Sequence, residues 1–131
     1  MAVTNSGYLV RRLAEAPTVP CPCGSSTRPL TSKDDVVCNL HVVFITDSIK
    51  HYHRQTTEVY YILQGQGKME LNDDVIDVEP GTVVYIEPYT AHRLWSEEGV
   101  QTIVFGVPAY REDDEFFLTD DPPTRPGSDG T

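Results

Sequence analysis

Two stretches of sequence decide the fold, HYHRQTTEVYYILQG at residues 51–65 and PGTVVYIEPYTAH at residues 80–92. Both contain a run of β-branched and aromatic residues, which favours a strand, and both have glycine or proline where that run begins or ends. Each also carries histidine, with His51 and His53 in the first stretch and His92 at the end of the second. They therefore predict short strands that bear histidine side chains and are separated by turns.

Short strands continue on both sides of these stretches. Residues 36–46 are apolar at nearly every position, a pattern typical of a strand covered on both faces. Asn-Asp-Asp at residues 72–74 has the composition of a hairpin turn. Further strands are predicted at residues 49–54, 57–64, 68–71, 75–79, 82–86, 92–96 and 100–107. About eight short strands with closely spaced turns and no long helix predict an all-β fold, either a sandwich or a closed barrel.

The predicted barrel covers residues 36–110 and has a different kind of segment at each end. Residues 1–35 hold four prolines, which predict an irregular extension with a Pro/Cys loop that packs on the barrel. Residues 111–131 contain seven acidic residues and two arginines. After Phe117 there is almost no apolar side chain, and this composition predicts an acidic, disordered tail.

Composition limits the partners and the location. A chain of 131 residues has room for one domain, and its net charge of −10 disfavours nucleic acid and anionic membranes as partners. It has no run of about 18 apolar residues that could span a membrane. Residues 1–17 lack the apolar core of a signal peptide. We therefore expect a cytoplasmic protein that binds neither membranes nor nucleic acid.

The cysteines leave two interpretations open. Cys21, Cys23 and Cys38 are an odd number in a compartment expected to be reducing, so no disulfide framework is predicted. The single residue between Cys21 and Cys23 suits neither a zinc site nor a redox pair. The two cysteines either pack as small side chains in a loop, or this loop and Arg28 close one mouth of the barrel and contribute a thiol or a guanidinium to a site there.

Three histidines and a glutamate are spaced for metal binding. His51 and His53 are two residues apart, so on a strand they share a face and their imidazoles can converge on one ion at about 2.0 to 2.2 Å. Glu58 follows a short turn and can reach the same point from the neighbouring strand, and His92 would complete the set. Three imidazoles and a carboxylate suit Mn, Fe, Co, Ni, Cu or Zn, whereas calcium and magnesium prefer oxygen ligands. We therefore predict one divalent transition metal ion.

These residues resemble a known family. Residues 51–65 are similar to the first cupin motif, which is His-x-His, three or four residues, Glu, six residues and Gly. Residues 80–92 are similar to the second, in which a glycine precedes a histidine by eleven positions, as Gly81 precedes His92. The resemblance implies a cupin double-stranded β-helix, a jelly-roll-like barrel with little helix. It also implies that the metal ligands are His51, His53, Glu58 and His92.

The chain departs from the cupin motifs around the rim of the predicted barrel. Ile45 stands where a glycine usually precedes the first histidine, Glu87 stands at a proline and Tyr89 at a glycine of the second motif. None of these positions supplies a ligand in the family. The departures therefore bear on which substrate is bound rather than on the metal.

The resemblance implies a class of activity but no single reaction. Cupins of this kind include dioxygenases, isomerases, epimerases, lyases and decarboxylases, so we expect a metal-dependent enzyme that acts on a small polar organic molecule. The alternative is a non-catalytic module that binds or senses a small ligand such as a sugar or an organic acid. A barrel without metal is a third possibility.

Two further residues are candidates for the wall of a substrate pocket, and the outer surface suggests a partner. Strand alternation places Tyr60 on the same face as Glu58, and His41 lies in the preceding strand, although either side chain could instead serve only to pack the core. Cupins commonly pair through strand edges. Exposed apolar side chains such as Tyr61 and Trp95 are consistent with a homodimer.

Overall fold

A computed structural model describes residues 7–21 and 23–118. The predicted all-β class is confirmed, because these residues form ten strands and only three single turns of 3₁₀ helix, at Leu13–Glu15, Ser32–Asp34 and Glu112–Asp114. No helix in the described part is long and apolar enough to cross a membrane. The strands are β1 (Thr18–Cys21), β2 (Gly24–Leu30), β3 (Asn39–Asp47), β4 (His51–Tyr52), β5 (Thr57–Gln64), β6 (Gly67–Leu71), β7 (Asp74–Val78), β8 (Val83–Ile86), β9 (His92–Val107) and β10 (Phe116–Phe117).

Strand β9 holds the curled antiparallel sheet together. It pairs with β3, β4, β5 and β6, while β8 extends β5, β7 extends β6, and β1 and β2 extend β3. Separate strands were predicted at residues 92–96 and 100–107, but one strand of 16 residues, β9, runs through both. Gly99 permits this bend, since its φ is +96° and a Cβ there would collide with the ring of Phe44. On either side of the bend, β9 changes its partner from β6 to β5.

The interior of the barrel follows the alternation of the strands. Every second residue of β3 and β5 is buried, including Ile45, Glu58, Tyr60 and Ile62. The apolar members of this inner face form one cluster with side chains from β6, β7, β8 and β9. Glu58 therefore lies on the same face as the apolar core, as the alternation predicted.

The predicted irregular extension before residue 36 is wrong for residues 18–30. Strands β1 and β2 form a hairpin, and β2 pairs with β3 from Gly24 opposite Ile45 to Leu30 opposite Leu40. The sheet can include these prolines because they lie at an edge strand and at an irregularity, where a missing N–H donor costs little. Among the described strands, β1 pairs only with β2, and Pro20 lies on this edge strand. Pro29 lies where the register between β2 and β3 shifts.

The cysteine prediction also needs correction. Cys21 and Cys23 are joined by a disulfide, and Cys38 is free. The turn between β1 and β2 brings the Cα atoms of the two cysteines to 5.1 Å, a separation that a disulfide can span. The loop was predicted, and the covalent link within it was not.

Disorder was predicted from residue 111 onward, and this is wrong for residues 112–118. Strand β10 pairs with β4, with Phe116 opposite Tyr52 and Phe117 opposite His51. The rings of Tyr52 and Phe116 stack with centroids 5.5 Å apart. Two phenylalanines thus anchor a segment whose charge suggested a free tail, and the rest of the predicted tail, residues 119–131, lies outside the described residues.

Candidate metal centre

Three histidines converge inside the barrel. His51 lies on β4 opposite His92, the first residue of β9, and His53 follows β4 directly. Their ring centroids are 4.4 Å apart for His51 and His92, 5.2 Å for His51 and His53, and 5.5 Å for His53 and His92. One ring nitrogen from each lies within 4.8 Å of the others, so these three side chains could hold a metal ion.

The backbone orients all three rings in the same way. Nδ1 of His51 lies 2.7 Å from the carbonyl oxygen of Ile49, and Nδ1 of His92 lies 2.9 Å from that of Thr90. Nδ1 of His53 is 2.8 Å from the carbonyl oxygen of Asp114. Since a carbonyl only accepts, each Nδ1 carries the hydrogen, and the neutral ring then has its free lone pair on Nε2. That tautomer is the one a metal ligand of this kind requires.

Glu58 adds a carboxylate oxygen to this group. Its Oε1 lies 3.2 Å from Nε2 of His53 and 3.2 Å from Nε2 of His92, and its side chain is 7% exposed. These three atoms are buried, and none of them has a hydrogen bond of acceptable geometry to another described residue. Buried polar atoms without partners are costly, and a cation between them would satisfy all three at once. The donors present, imidazole nitrogens and one carboxylate oxygen, fit a divalent transition metal.

The charges within this group are strongly coupled. Burial, followed by the charge of His92, lowers the pKa of His51 to about 3. Burial also acts to lower the pKa of His53, but the carboxylate of Glu58 outweighs it and raises that pKa to about 9. Burial alone would raise the pKa of Glu58, yet His53 and His92 hold it well below its usual value. A divalent cation would take the place of the proton that His53 and Glu58 attract.

A cavity of about 70 Å³ opens beside the histidines. His41 and Tyr60, the two predicted pocket residues, both line it, although their contact with a substrate stays a prediction. Burial lowers the pKa of His41 to about 4, so its imidazole is neutral, and its Nε2 is buried without a hydrogen-bond partner. Burial also raises the pKa of Tyr60 well above its usual value, so that its hydroxyl keeps its proton.

Sequence reasoning missed the contribution of the segment after the barrel. Tyr110 and Glu115 line the cavity, and the Tyr110 hydroxyl donates to Oε1 of Glu115 at 2.8 Å. Asp114 accepts backbone N–H bonds from residues 54–56 at 2.9 to 3.2 Å, and it therefore holds the loop that follows His53. The apolar pair Phe116 and Phe117 was the one signal that this acidic segment is anchored.

One of the unusual rim residues has a backbone conformation that favours glycine. Tyr89 stands where a glycine was expected, and it adopts the left-handed conformation with φ of +67°. Its N–H donates to the carbonyl oxygen of His53 at 2.7 Å. The turn is therefore retained, while a tyrosine side chain is added beside Tyr52, with ring centroids 6.0 Å apart.

A curled antiparallel barrel with histidines gathered inside defines a class of small-molecule and metal-binding β-barrels. Within that class, residues 45–107 match the family model for the cupin domain. These residues, just under half of the chain, are similar to a cupin domain, and the chain has the cupin fold.

Comparison with known proteins finds sequence relatives that include sugar-phosphate isomerases and an uncharacterised protein. The chain is 48% identical over 64 residues to a glucose-6-phosphate isomerase of Thermococcus gammatolerans, a match that covers 44% of this chain and 34% of that enzyme. It is 32% identical over 73 residues to an uncharacterised protein of Methanocaldococcus jannaschii, covering 54% of this chain and 58% of that protein. The chain thus spans less than two thirds of either relative.

One solved structure is similar to this chain over a larger part of its length than the sequence relatives are. A protein from Planctomyces limnophilus superposes with a TM-score of 0.78 at 26% identity. The match covers 84% of this chain and 96% of that one. The agreement therefore includes strands outside residues 45–107.

Proposed function

We propose that this chain is a metal-dependent enzyme that acts on a small polar organic molecule. One divalent transition metal would be held by His51, His53, Glu58 and His92. The observation that carries the proposal is the convergence of unpartnered, buried Nε2 and carboxylate atoms beside a cavity. When bound, the metal would supply Lewis-acid chemistry, which polarises an oxygen of the substrate.

The residues around the cavity favour proton transfer over oxidation. His41 is neutral, so one of its two ring nitrogens has a lone pair that can accept a proton or a hydrogen bond. Tyr60 keeps its hydroxyl proton and can donate it in a hydrogen bond. Isomerases, epimerases and lyases depend on such positioned donors and acceptors. We therefore propose a reaction of this group, and the isomerase relatives support that choice.

The size of the cavity bears on the substrate. Its volume of about 70 Å³ is far below the roughly 300 to 1,000 Å³ of sites that hold drug-sized ligands. A molecule of a few carbon atoms suits it better than a hexose phosphate. The sugar phosphate named for the isomerase relatives is therefore not carried over to this chain.

We also propose that two copies form a homodimer through the outer face of β3, β9, β5 and β8. Cross-strand pairs place Val59 beside both Phe105 and Tyr85, and Tyr61 beside Val83. Such a continuous apolar face on a soluble protein usually marks an interface. Trp95 does not contribute to it, because it is half-buried with Arg93 4.7 Å from its ring centre. The exposed members of this face are Phe44, Tyr61, Leu63, Val83, Tyr85 and Phe105.

Elemental analysis tests the metal site directly. Untagged protein purified without added metal should contain close to one equivalent of iron, manganese, cobalt, nickel, copper or zinc. His51→Ala and His92→Ala should lose it, whereas His41→Gln, which removes the fourth histidine of the chain, should keep it. Less than about a tenth of an equivalent, with no uptake on titration, would contradict the proposal.

A second measurement separates the reaction classes. Metal-loaded protein is incubated with small hydroxy and oxo compounds in D₂O, and proton NMR follows deuterium at carbon next to a carbonyl. Isomerase, epimerase or lyase chemistry introduces deuterium there, whereas dioxygenation consumes oxygen without doing so. Binding with neither outcome would favour the non-catalytic module. Cytoplasmic location stays a prediction.

A further inference from the structure

Arg28 brings a cationic group to the cavity that holds the histidines. It lies on β2, two residues after the buried Ser26, so both side chains point to the inner face of the sheet. Its Nε donates to Oγ of Ser26 at 3.0 Å, and its Cζ lies 6.0 Å from the ring centre of Tyr110. These contacts fix one side of the guanidinium against the wall of the cavity.

The other side of this guanidinium has no acceptor among the described residues. Arginine carries five N–H donors, of which one is used by Ser26. Glu115, one of the two carboxylates on the wall, accepts from the Tyr110 hydroxyl at 2.8 Å and forms no ion pair with Arg28 within the described part of the chain. The two terminal nitrogens of Arg28 are thus available to a ligand.

A second unpartnered group faces the same space. Nε2 of His41 is buried without a hydrogen bond, and the residue is 6% exposed. After burial, the charge of Arg28 is the next cause that lowers the pKa of His41, which is consistent with their closeness. A ligand that satisfies Arg28 and His41 together needs oxygen atoms for the guanidinium and a polar group within reach of Nε2.

The charge balance of the cavity favours an anion once a metal is bound. Two carboxylates, Glu58 and Glu115, line it together with Arg28. With a divalent cation on the histidines, the positive charges exceed the negative ones by one. A small anion bound in the cavity would neutralise this excess.

We propose that Arg28 binds the carboxylate group of the substrate, which makes the substrate a small hydroxy or oxo acid. The proposal rests on the proposed function, since the metal would hold the hydroxyl or oxo oxygen at the other end. A planar carboxylate matches the two terminal N–H groups of the guanidinium. A carboxylate of a few carbon atoms also suits a cavity of about 70 Å³ better than a phosphorylated sugar does.

Calorimetry on the zinc-loaded protein tests this assignment. The ligands are glycolate and L-lactate, each with its uncharged counterpart, ethylene glycol and 1,2-propanediol, and inorganic phosphate as a second anion. The variants are Arg28→Gln and Arg28→Lys. Arg111→Gln is the matched control, because Arg111 is exposed and its partner Asp113 is also exposed.

The wild-type protein and Arg111→Gln should bind at least one of the two acids about tenfold or more tightly than its diol. Arg28→Gln should weaken that binding by roughly 10- to 100-fold with zinc content unchanged, because a charge-assisted pair is lost. The affinity of Arg28→Lys for that acid should lie between the affinities of the wild-type protein and of Arg28→Gln.

Three results would overturn the assignment while leaving the metal site intact. They are equal binding of the acids by the wild-type protein and Arg28→Gln, diols that bind as well as the acids, and phosphate that binds more tightly than either acid. A wild-type protein that takes up no zinc would overturn the metal site and, with it, the role of Arg28.

Discussion

The carbonyl oxygen of Asp114 accepts a hydrogen bond from Nδ1 of His53 at 2.8 Å, across 61 positions of sequence. The carboxylate of the same residue accepts the backbone N–H groups of residues 54–56. One aspartate from the acidic end of the barrel thus orients a candidate metal ligand and also holds the loop that carries it. Hydrogen bonds that orient a metal ligand usually have a measurable effect on metal affinity.

Asp114→Ala should therefore destabilise the protein and weaken its metal binding. The substitution leaves one buried and two partly buried backbone N–H groups without their acceptor, which we expect to cost about 2 to 4 kcal/mol in the free energy of unfolding. Metal affinity should fall by up to about tenfold, because the loop that follows His53 loses the carboxylate that holds it, although the backbone carbonyl that His53 contacts remains. Urea unfolding and zinc competition with a chelator measure the two effects.

Asp113→Ala is the control for this prediction, because Asp113 is exposed and pairs only with the exposed Arg111 among the described residues. It should change the free energy of unfolding by less than about 0.5 kcal/mol. Equal unfolding midpoints for the two variants would argue against the supporting role of Asp114.

Metal should stabilise the folded chain through the histidine group. At a zinc concentration of about 100 times the dissociation constant, binding adds about 2.7 kcal/mol, which should raise the melting temperature by about 10 °C. His92→Ala should abolish this shift, and Glu58→Gln should reduce it. His41→Gln should keep it, so a loss of the shift in that variant would point to a different ligand set. Calorimetric melting with and without a chelator is the measurement.

A charge on the outer apolar face should separate the proposed dimer. Tyr61 is 42% exposed on β5 and lies beside Val83, so Tyr61→Glu would place an unpaired carboxylate inside the interface. Light scattering after gel filtration should give twice the 14.7 kDa chain mass for the wild-type protein and 14.7 kDa for the variant. Val75→Glu, at an exposed position of β7, should remain dimeric. A wild-type protein that is monomeric at every concentration would rule the dimer out.

The loop before β3 should make stability sensitive to acid. Burial opposes the ionisation of Asp34, but its hydrogen bonds with Arg11 and Thr31 outweigh burial and lower its pKa from 3.8 to about 2. Because the folded pKa is the lower one, ionised Asp34 stabilises the fold above about pH 4, and this contribution is lost as the pH falls through 2.

Asp34→Asn should therefore cost roughly 2 kcal/mol at pH 7, and its difference from the wild-type protein should shrink towards zero near pH 2. Asp35→Asn, at the exposed neighbouring position, should show neither effect. Urea unfolding at a series of pH values follows both variants. If the free energies of unfolding of the wild-type protein and Asp34→Asn differed by the same amount at every pH, the ionised carboxylate of Asp34 would not be the source of the stabilisation.

Much of the fold was predictable because local patterns carry it. Strand β5 begins and ends at the predicted residues, because its side chains alternate and a turn and a glycine mark its two ends. The segments that were predicted wrongly are those whose structure depends on distant partners. The hairpin of β1 and β2 needs the edge of β3, and β10 needs β4, so neither composition nor periodicity reveals them.

The sequence by itself predicted the barrel and the residue types of the candidate metal site. Strand period and turn length relate His51, His53 and Glu58, and the resemblance to the second cupin motif adds His92. Only the tertiary structure decided how these side chains are oriented and what surrounds them. The partner of His53 comes from Asp114, and Arg28 reaches the cavity from a strand predicted to be loop. Spacing describes neighbours along one chain segment, whereas the cavity is bounded by segments far apart in sequence that meet only when the sheet curls.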